Sequence, residues 1–86
     1  MIITTTPTIE NHRITEYLGI VTGEDIGMCI TEFDLIKIKE KAIQKMQQKA
    51  LEAGANAVIG VNFNHTALFN DFSAFMAIGT AVVIEE

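Results

Sequence analysis

Residues 31–54, TEFDLIKIKEKAIQKMQQKALEAG, decide the fold. Thr31 is the strongest helix N-cap in the chain, with Glu32 and Asp34 in the first turn, where the helix dipole favours acids. The run to Ala53 is built from Lys, Glu, Gln, Ala, Leu, Ile and Met, which are good or fair helix formers. Gly54 stands where a left-handed C-cap belongs. Leu35, Ile36, Ala42, Ile43, Met46, Ala50 and Ala53 make one apolar stripe at helical spacing. The helix is about 33 Å long. Lys39 falls inside the stripe, its stem over apolar surface and its ammonium at an edge.

Working outward, no second convincing helix is found in the 86 residues, so the flanks must supply a sheet. Ile2 to Thr6 is rich in β-branched residues and reads as a short strand ending at Pro7, and Thr8 to Arg13 as a turn. Ile14 to Val21 reads as a strand with Ile14, Leu18 and Ile20 on one face and Tyr17 and Val21 on the other. Gly23 with Glu24 and Asp25 closes it. Ile26 to Ile30 fits either a short strand or a lead-in to the helix. Ala57 to Phe63 alternates, with Ala57, Ile59, Val61 and Phe63 on one side and Val58, Gly60 and Asn62 on the other. Met76 to Ile84 is the clearest strand. It sets Met76, Ile78, Val82 and Ile84 against a small-residue face of Ala77, Gly79, Ala81 and Val83 that lets another backbone approach. Asn70-Asp71 is the turn of a hairpin between the last two strands. The expected fold class is α+β, a mainly antiparallel sheet with one long helix on one face, in a single domain over residues 1–86.

Composition removes whole classes of function. The chain is 49% hydrophobic and 20% charged with one Pro, which excludes a disordered tail or charged linker. One Cys excludes an internal disulfide framework and any zinc pattern with two thiolates. Six basic against eleven acidic residues give −5, so nucleic acid and anionic membrane are not expected partners. The first twenty residues carry Glu10, His12, Arg13 and Glu16 and no signal-peptide core, and a lone thiol without an export signal points to the cytoplasm. The longest uncharged stretch, Ala53 to Asn70, contains four Asn and does not span a bilayer.

Each chemistry-bearing feature has a plainer reading beside it. Met28-Cys29 invites a soft metal, but strand neighbours point to opposite faces, and a small thiol beside a core methionine explains the pair. His12 and His65 are isolated, and become a ring of ligands only where symmetry gathers copies on an axis. Glu24-Asp25 is a carboxylate pair or simply a turn before the helix. No GxSxG, HExxH or phosphate-binding glycine loop occurs, so no catalytic residue, no metal ligand and no cofactor is assigned, and the cofactor-binding residues stay unknown. Lys37, Lys41, Lys45 and Lys49 recur every four residues as a basic ridge, whose like charges do not stabilise their own helix. The helix segment is net +1 and the rest of the chain net −6, so the ridge is either a solvated face or a site for an anion or acidic neighbour. Leu68, Phe69, Phe72 and Phe75 bracket the Asn70-Asp71 turn, and this apolar tip is expected to fold back or to enter a partner.

Three ordered blocks carry a likeness: Tyr17-Leu-Gly-Ile-Val-Thr-Gly-Glu24, Gly54-Ala-Asn-Ala-Val-Ile-Gly-Val-Asn-Phe63 and Gly79-Thr-Ala-Val-Val-Ile-Glu85. With the Thr-Thr-Thr-Pro-Thr start they resemble the YbjQ family, the UPF0145 group labelled "putative heavy-metal-binding". The resemblance implies a dodecin-like α+β subunit that assembles into a ring-like pentamer. This chain departs from the family between Glu24 and Glu40, where members carry an extra helical segment and a glycine-containing loop. The metal label lands on no residue here, because the sequence holds no motif of ligands to receive it. The expectation is a non-enzymatic homo-oligomeric binding module with a small molecule or metal at subunit interfaces or on the ring axis. The alternative is a structural ring that docks a partner through the Lys37-Lys41-Lys45-Lys49 ridge.

Overall fold

The structure, a computed structural model, describes residues 1–85. Helix α1 runs Glu32–Glu52 and both its ends are closed by their own sequence. The Thr31 hydroxyl accepts the amide of Asp34 at 3.3 Å, and the Asp34 carboxylate accepts the amides of Ile30 and Thr31 at 3.2 and 3.3 Å. That is a reciprocal capping box. At the far end Gly54 takes φ +92°, its amide donates to Leu51 O and that of Ala55 to Ala50 O, which closes a Schellman motif.

Four strands form one sheet in the order β1-β3-β4-β2: β1 Ile2–Ile3, β2 Ile14–Met28, β3 Ala57–Ala67 and β4 Phe72–Ile84. Only the β1–β3 pair is parallel. The expected α+β class holds, with the helix on one side of a mixed, mainly antiparallel sheet. The first strand is shorter than Ile2–Thr6, although Thr4 and Thr6 still pair with the backbone of Val58, Gly60 and Val61.

The helix lies chiefly on β2 and then on β4, and its buried row is Ile38, Ala42, Met46 and Ala50. This corrects the expected stripe: Leu35 and Ile43 flank the row half-buried, while Ile36 and Ala53 are exposed. A straight i, i+4 row is narrow, and a narrow row suits the surface it meets. At Gly23 a Cβ would run into the carbonyl oxygen of Ala42 and the amide of Met46, and at Gly27 it would stand 3.1 Å from Ile38 Cδ1. Gly23 therefore does not end the strand, as the sequence suggests; it admits the helix, and β2 continues to Met28.

The predicted faces fail where strands bulge. β2 shifts register twice, between Ile14 and Glu16 and between Tyr17 and Gly19, so Leu18 crosses to the helix side beside Val21 while Ile20 stays on the face of Ile14. β3 shifts between Ile59 and Asn62 around Gly60 at φ +59°, so Val58, Val61 and Phe63 share the helix-side core while Ala57 and Ile59 lie opposite. β4 has no bulge, and its two faces are as expected: Ala77 and Ala81 against the helix, Val82 and Ile84 opposite. Gly79 serves β3 rather than the helix, since a Cβ there would stand 2.6 Å from Val58 Cγ1. The hairpin turn at Asn70-Asp71 has both residues at positive φ, as a type I′ turn requires, but its strands extend past Phe63 and begin before Met76.

Candidate functional site

The sheet has a second face, and the chain covers only its near end. There Ile9 and Ile14 fold over Ala57, Ile59, Val82 and Ile84. Beyond them, paired across β2 and β4, lie Ile20 opposite Thr80, Thr22 opposite Ile78, Glu24 opposite Met76, Ile26 opposite Ala74 and Met28 opposite Phe72. Ile20 is 74% exposed, Ile26 61% and Met28 52%, while Met76 and Ile78 are half-buried. The Cα envelope of 45 × 22 × 15 Å is thin enough that one helix on one sheet fills it. This far part of the face, apolar apart from Thr22, Glu24 and Thr80, is left without a cover among the described residues.

Two strand edges flank it. β2 is an outer strand along its whole length. β1 and the segment after it pair with β3 only as far as Val61, so the outer edge from Asn62 to Ala67 has no strand beside it. At the tip between β3 and β4, Phe75 turns inward against Phe63 with centroids 5.9 Å apart, but Phe69 stays 73% exposed, its ring tilted against that of Phe72 at 6.2 Å. The tip thus folds back in part and presents Leu68, Phe69 and Phe72.

The residues singled out by the sequence are scattered over this frame. Met28 lies on the bare face, whereas Cys29 packs against the helix-side core with its thiol 3.9 Å from Thr31 O. Glu24 and Asp25 lie within β2 and form neither a turn nor a carboxylate pair, because adjacent strand residues face opposite ways. Asp25 faces the helix and binds Lys45 Nζ at 3.0 Å, and the same ammonium donates to Glu24 O at 2.9 Å. The Lys ridge is therefore not continuous free charge: Lys45 is tied to β2 and Lys37 stands 5.4 Å over the Phe33 ring. Lys39 sits as expected, its ammonium 4.9 Å over Phe63.

His65 lies on β3 and stacks on Phe75, near the tip. His12 is at the opposite end of β4, where its Nδ1 meets the carbonyl of Glu85 at 3.0 Å. That contact joins residues 73 apart in sequence, and no local signal announces it. The bare field was also only partly legible, because Ile26 and Met28 belong to it only once the strand passes Gly23. Asp34 is held below the usual aspartate range, first by the Thr31 amide and then by the Ile30 amide, which is a helix-capping effect.

The comparisons with known proteins now bear on this geometry. The profile of the family described as "Putative heavy-metal-binding" (YbjQ) matches in two segments, residues 1–37 and 30–85. A UPF0145 protein of Listeria monocytogenes is 42% identical over 106 residues, covering 99% of this chain and 96% of its own. A UPF0145 protein of Acetivibrio thermocellus is 41% identical, covering 99% of this chain and all of its own. A solved protein of unknown function from Pediococcus pentosaceus superposes with a TM-score of 0.75 at 22% identity, over 99% of this chain and 98% of that one, and shows the same fold. An alignment of 106 residues against a chain of 86 means that the relatives carry residues with no counterpart here. The heavy-metal description does not fit one subunit, since among the described residues no three His, Cys, Asp or Glu come together to hold an ion. With sequence and fold in agreement over nearly the full length, this chain belongs to the UPF0145 (YbjQ) family.

Proposed function

We propose that the protein is a non-enzymatic, homo-oligomeric binding module of the cytoplasm, with its ligand at subunit interfaces or on the axis of a ring. The observation that carries this reading is the bare sheet face of Ile20, Ile26, Met28, Met76 and Ile78, bordered by the exposed tip at Phe69 and Phe72. A contiguous apolar field of this kind favours a protein surface over water. The two unpartnered strand edges support a ring in particular. An edge of β2 joined to the free edge of β3 in the next copy is a head-to-tail contact, and such contacts close into rings when the rotation allows. Five copies is the number implied by the family resemblance. A chain of 86 residues also buries only about 60% of its unfolded surface by itself, so assembly supplies missing core.

Light scattering on dilute protein tests the reading, with a multiple of 9.4 kDa expected. A stable folded monomer overturns it. Phe72→Asp, which places an unpaired charge in the interface, should dissociate the assembly. Native mass spectrometry of the protein as purified should then retain a small added mass on the assembly and lose it on dissociation. Docking through the Lys ridge is the weaker reading, because Lys45 and Lys37 are already engaged within the subunit.

A further inference from the structure

Beyond the bare sheet face, one end of the subunit holds a pocket of about 270 Å³ lined by Met1, Ile2, His12, Leu51, Ala55, Asn56 and Ile84. Its floor is apolar and buried at Ala55 and Ile84, and its rim is apolar and exposed at Met1, Ile2 and Leu51. Two polar side chains reach it, and their hydrogen bonds differ. Asn56 is turned to the strand: its Nδ2 donates to Ile84 O at 3.0 Å and its Oδ1 accepts the Ile84 amide at 2.8 Å, which leaves its second N–H without a partner among the described residues. His12 is half engaged. Its Nδ1 lies 3.0 Å from the carbonyl oxygen of Glu85, and a carbonyl only accepts, so Nδ1 carries the proton. In the neutral ring Nε2 is then a bare acceptor, with no partner among the described residues.

The backbone on either side of the imidazole is also fixed. Asn11 at φ +64° turns the chain, and the His12 amide donates to Ile9 O at 3.2 Å. On the next residue the Arg13 carbonyl accepts the Glu85 amide at 2.9 Å, while the Arg13 guanidinium meets the Glu85 carboxylate at 3.0 Å. These contacts tie the His12 segment to the end of β4, and together with the Nδ1 bond they limit how far the ring can turn before a ligand arrives.

We propose that this pocket binds a small hydroxylated single-ring molecule, with its ring on Ile2, Leu51, Ala55 and Ile84 and its hydroxyl donating to His12 Nε2. Size and chemistry agree. An apolar cavity of about 150 Å³ accepts benzene, so this volume takes one ring with small substituents. A free acceptor at His12 Nε2 beside the remaining Asn56 N–H suits a hydroxyl, which donates to the first and accepts from the second. All seven lining residues belong to one subunit. A metal is the poorer occupant, because His12 and the thioether of Met1 are too few ligands for a closed site.

The test is a titration followed by heteronuclear NMR, with p-cresol against 4-fluorotoluene, which keeps the shape and lacks the donor. p-Cresol should saturate, moving the amides of Leu51, Asn56 and Ile84 and the Nε2 resonance of His12. 4-Fluorotoluene should bind about five-fold more weakly, the ratio expected for one neutral hydrogen bond. His12→Phe should abolish that preference while the fluoro compound still binds. The tautomer is read on the unaltered protein from its imidazole nitrogen shifts, so the proposal is testable even where the variant does not fold. Equal affinity for the two compounds, no saturable shift with p-cresol, a proton on Nε2 in place of Nδ1, or displacement of p-cresol by stoichiometric zinc each overturns the proposal.

Discussion

The two faces of the sheet both carry apolar side chains, but one is covered by the helix and the other only at one end. On the helix side, Gly23 and Gly27 on β2 and Ala77 and Ala81 on β4 are small enough for α1 to settle, and Ile38, Ala42, Met46 and Ala50 disappear from solvent. On the other side Ile20, Ile26 and Met28 are larger and nothing comparable approaches them. The difference teaches that hydrophobicity alone does not bury a face. Burial needs a partner and a surface shaped for it, and in this chain the shaping residues are glycines on β2 and alanines on β4. The helix-side face is covered by the chain's own helix, whereas the far part of the other has no cover among the described residues.

The largest effect should come from filling the groove. Gly23→Val forces a side chain into the backbone of α1 at Ala42 and Met46, and should cost more than about 3 kcal/mol in urea unfolding or prevent folding. If this variant is as stable as the parent, the helix does not rest on Gly23 and the account of that face fails. Next, Met46→Ala on the covered face should cost about 3 kcal/mol. Its counterpart on the bare face, Ile20→Ala, should change the stability of a dissociated subunit by less than about 0.5 kcal/mol. Measured under dissociating conditions, equal losses would erase the distinction between the faces.

A smaller effect concerns how the covering helix begins. Thr31→Ala should cost about 1 kcal/mol by removing half of the capping box. The other half depends on pH. Asp34 is held below its ordinary range, so the folded state binds this proton less readily than the unfolded state. Its stabilising contribution is complete above the unfolded aspartate value and is lost as pH falls through the lowered one. Asp34→Asn should therefore flatten the acid limb of a stability–pH profile, and an unchanged limb contradicts the assignment. The smallest effect is expected for Lys45→Gln, which should cost under about 1 kcal/mol because the ammonium is half in water even though Asp25 is largely covered. A loss that also breaks the oligomer would show that Lys45 serves a neighbour as well.

What the sequence determined alone was whatever depends on nearby residues. The helix and both its caps were legible, because Thr31, Asp34 and Gly54 act on backbone groups within a turn of themselves. So were the Asn70-Asp71 turn and the two faces of β4, where alternation runs unbroken. The tertiary structure decided the rest. Gly23 looked like a stop and is a seat for the helix, a meaning visible only once Ala42 lies over it. Ile38 replaced Ile36 in the buried row because the groove between β2 and β4 chose which narrow strip of the helix to receive. The bulge beside Gly60 moved Val61 across the sheet, since a single extra residue reverses every side chain beyond it, and the two register shifts of β2 moved Leu18 across while returning Ile20 and Val21 to their expected faces. The orientation of His12 likewise came from a carbonyl 73 residues away. Periodicity records what a side chain prefers, but contacts made across the chain decide which face it reaches.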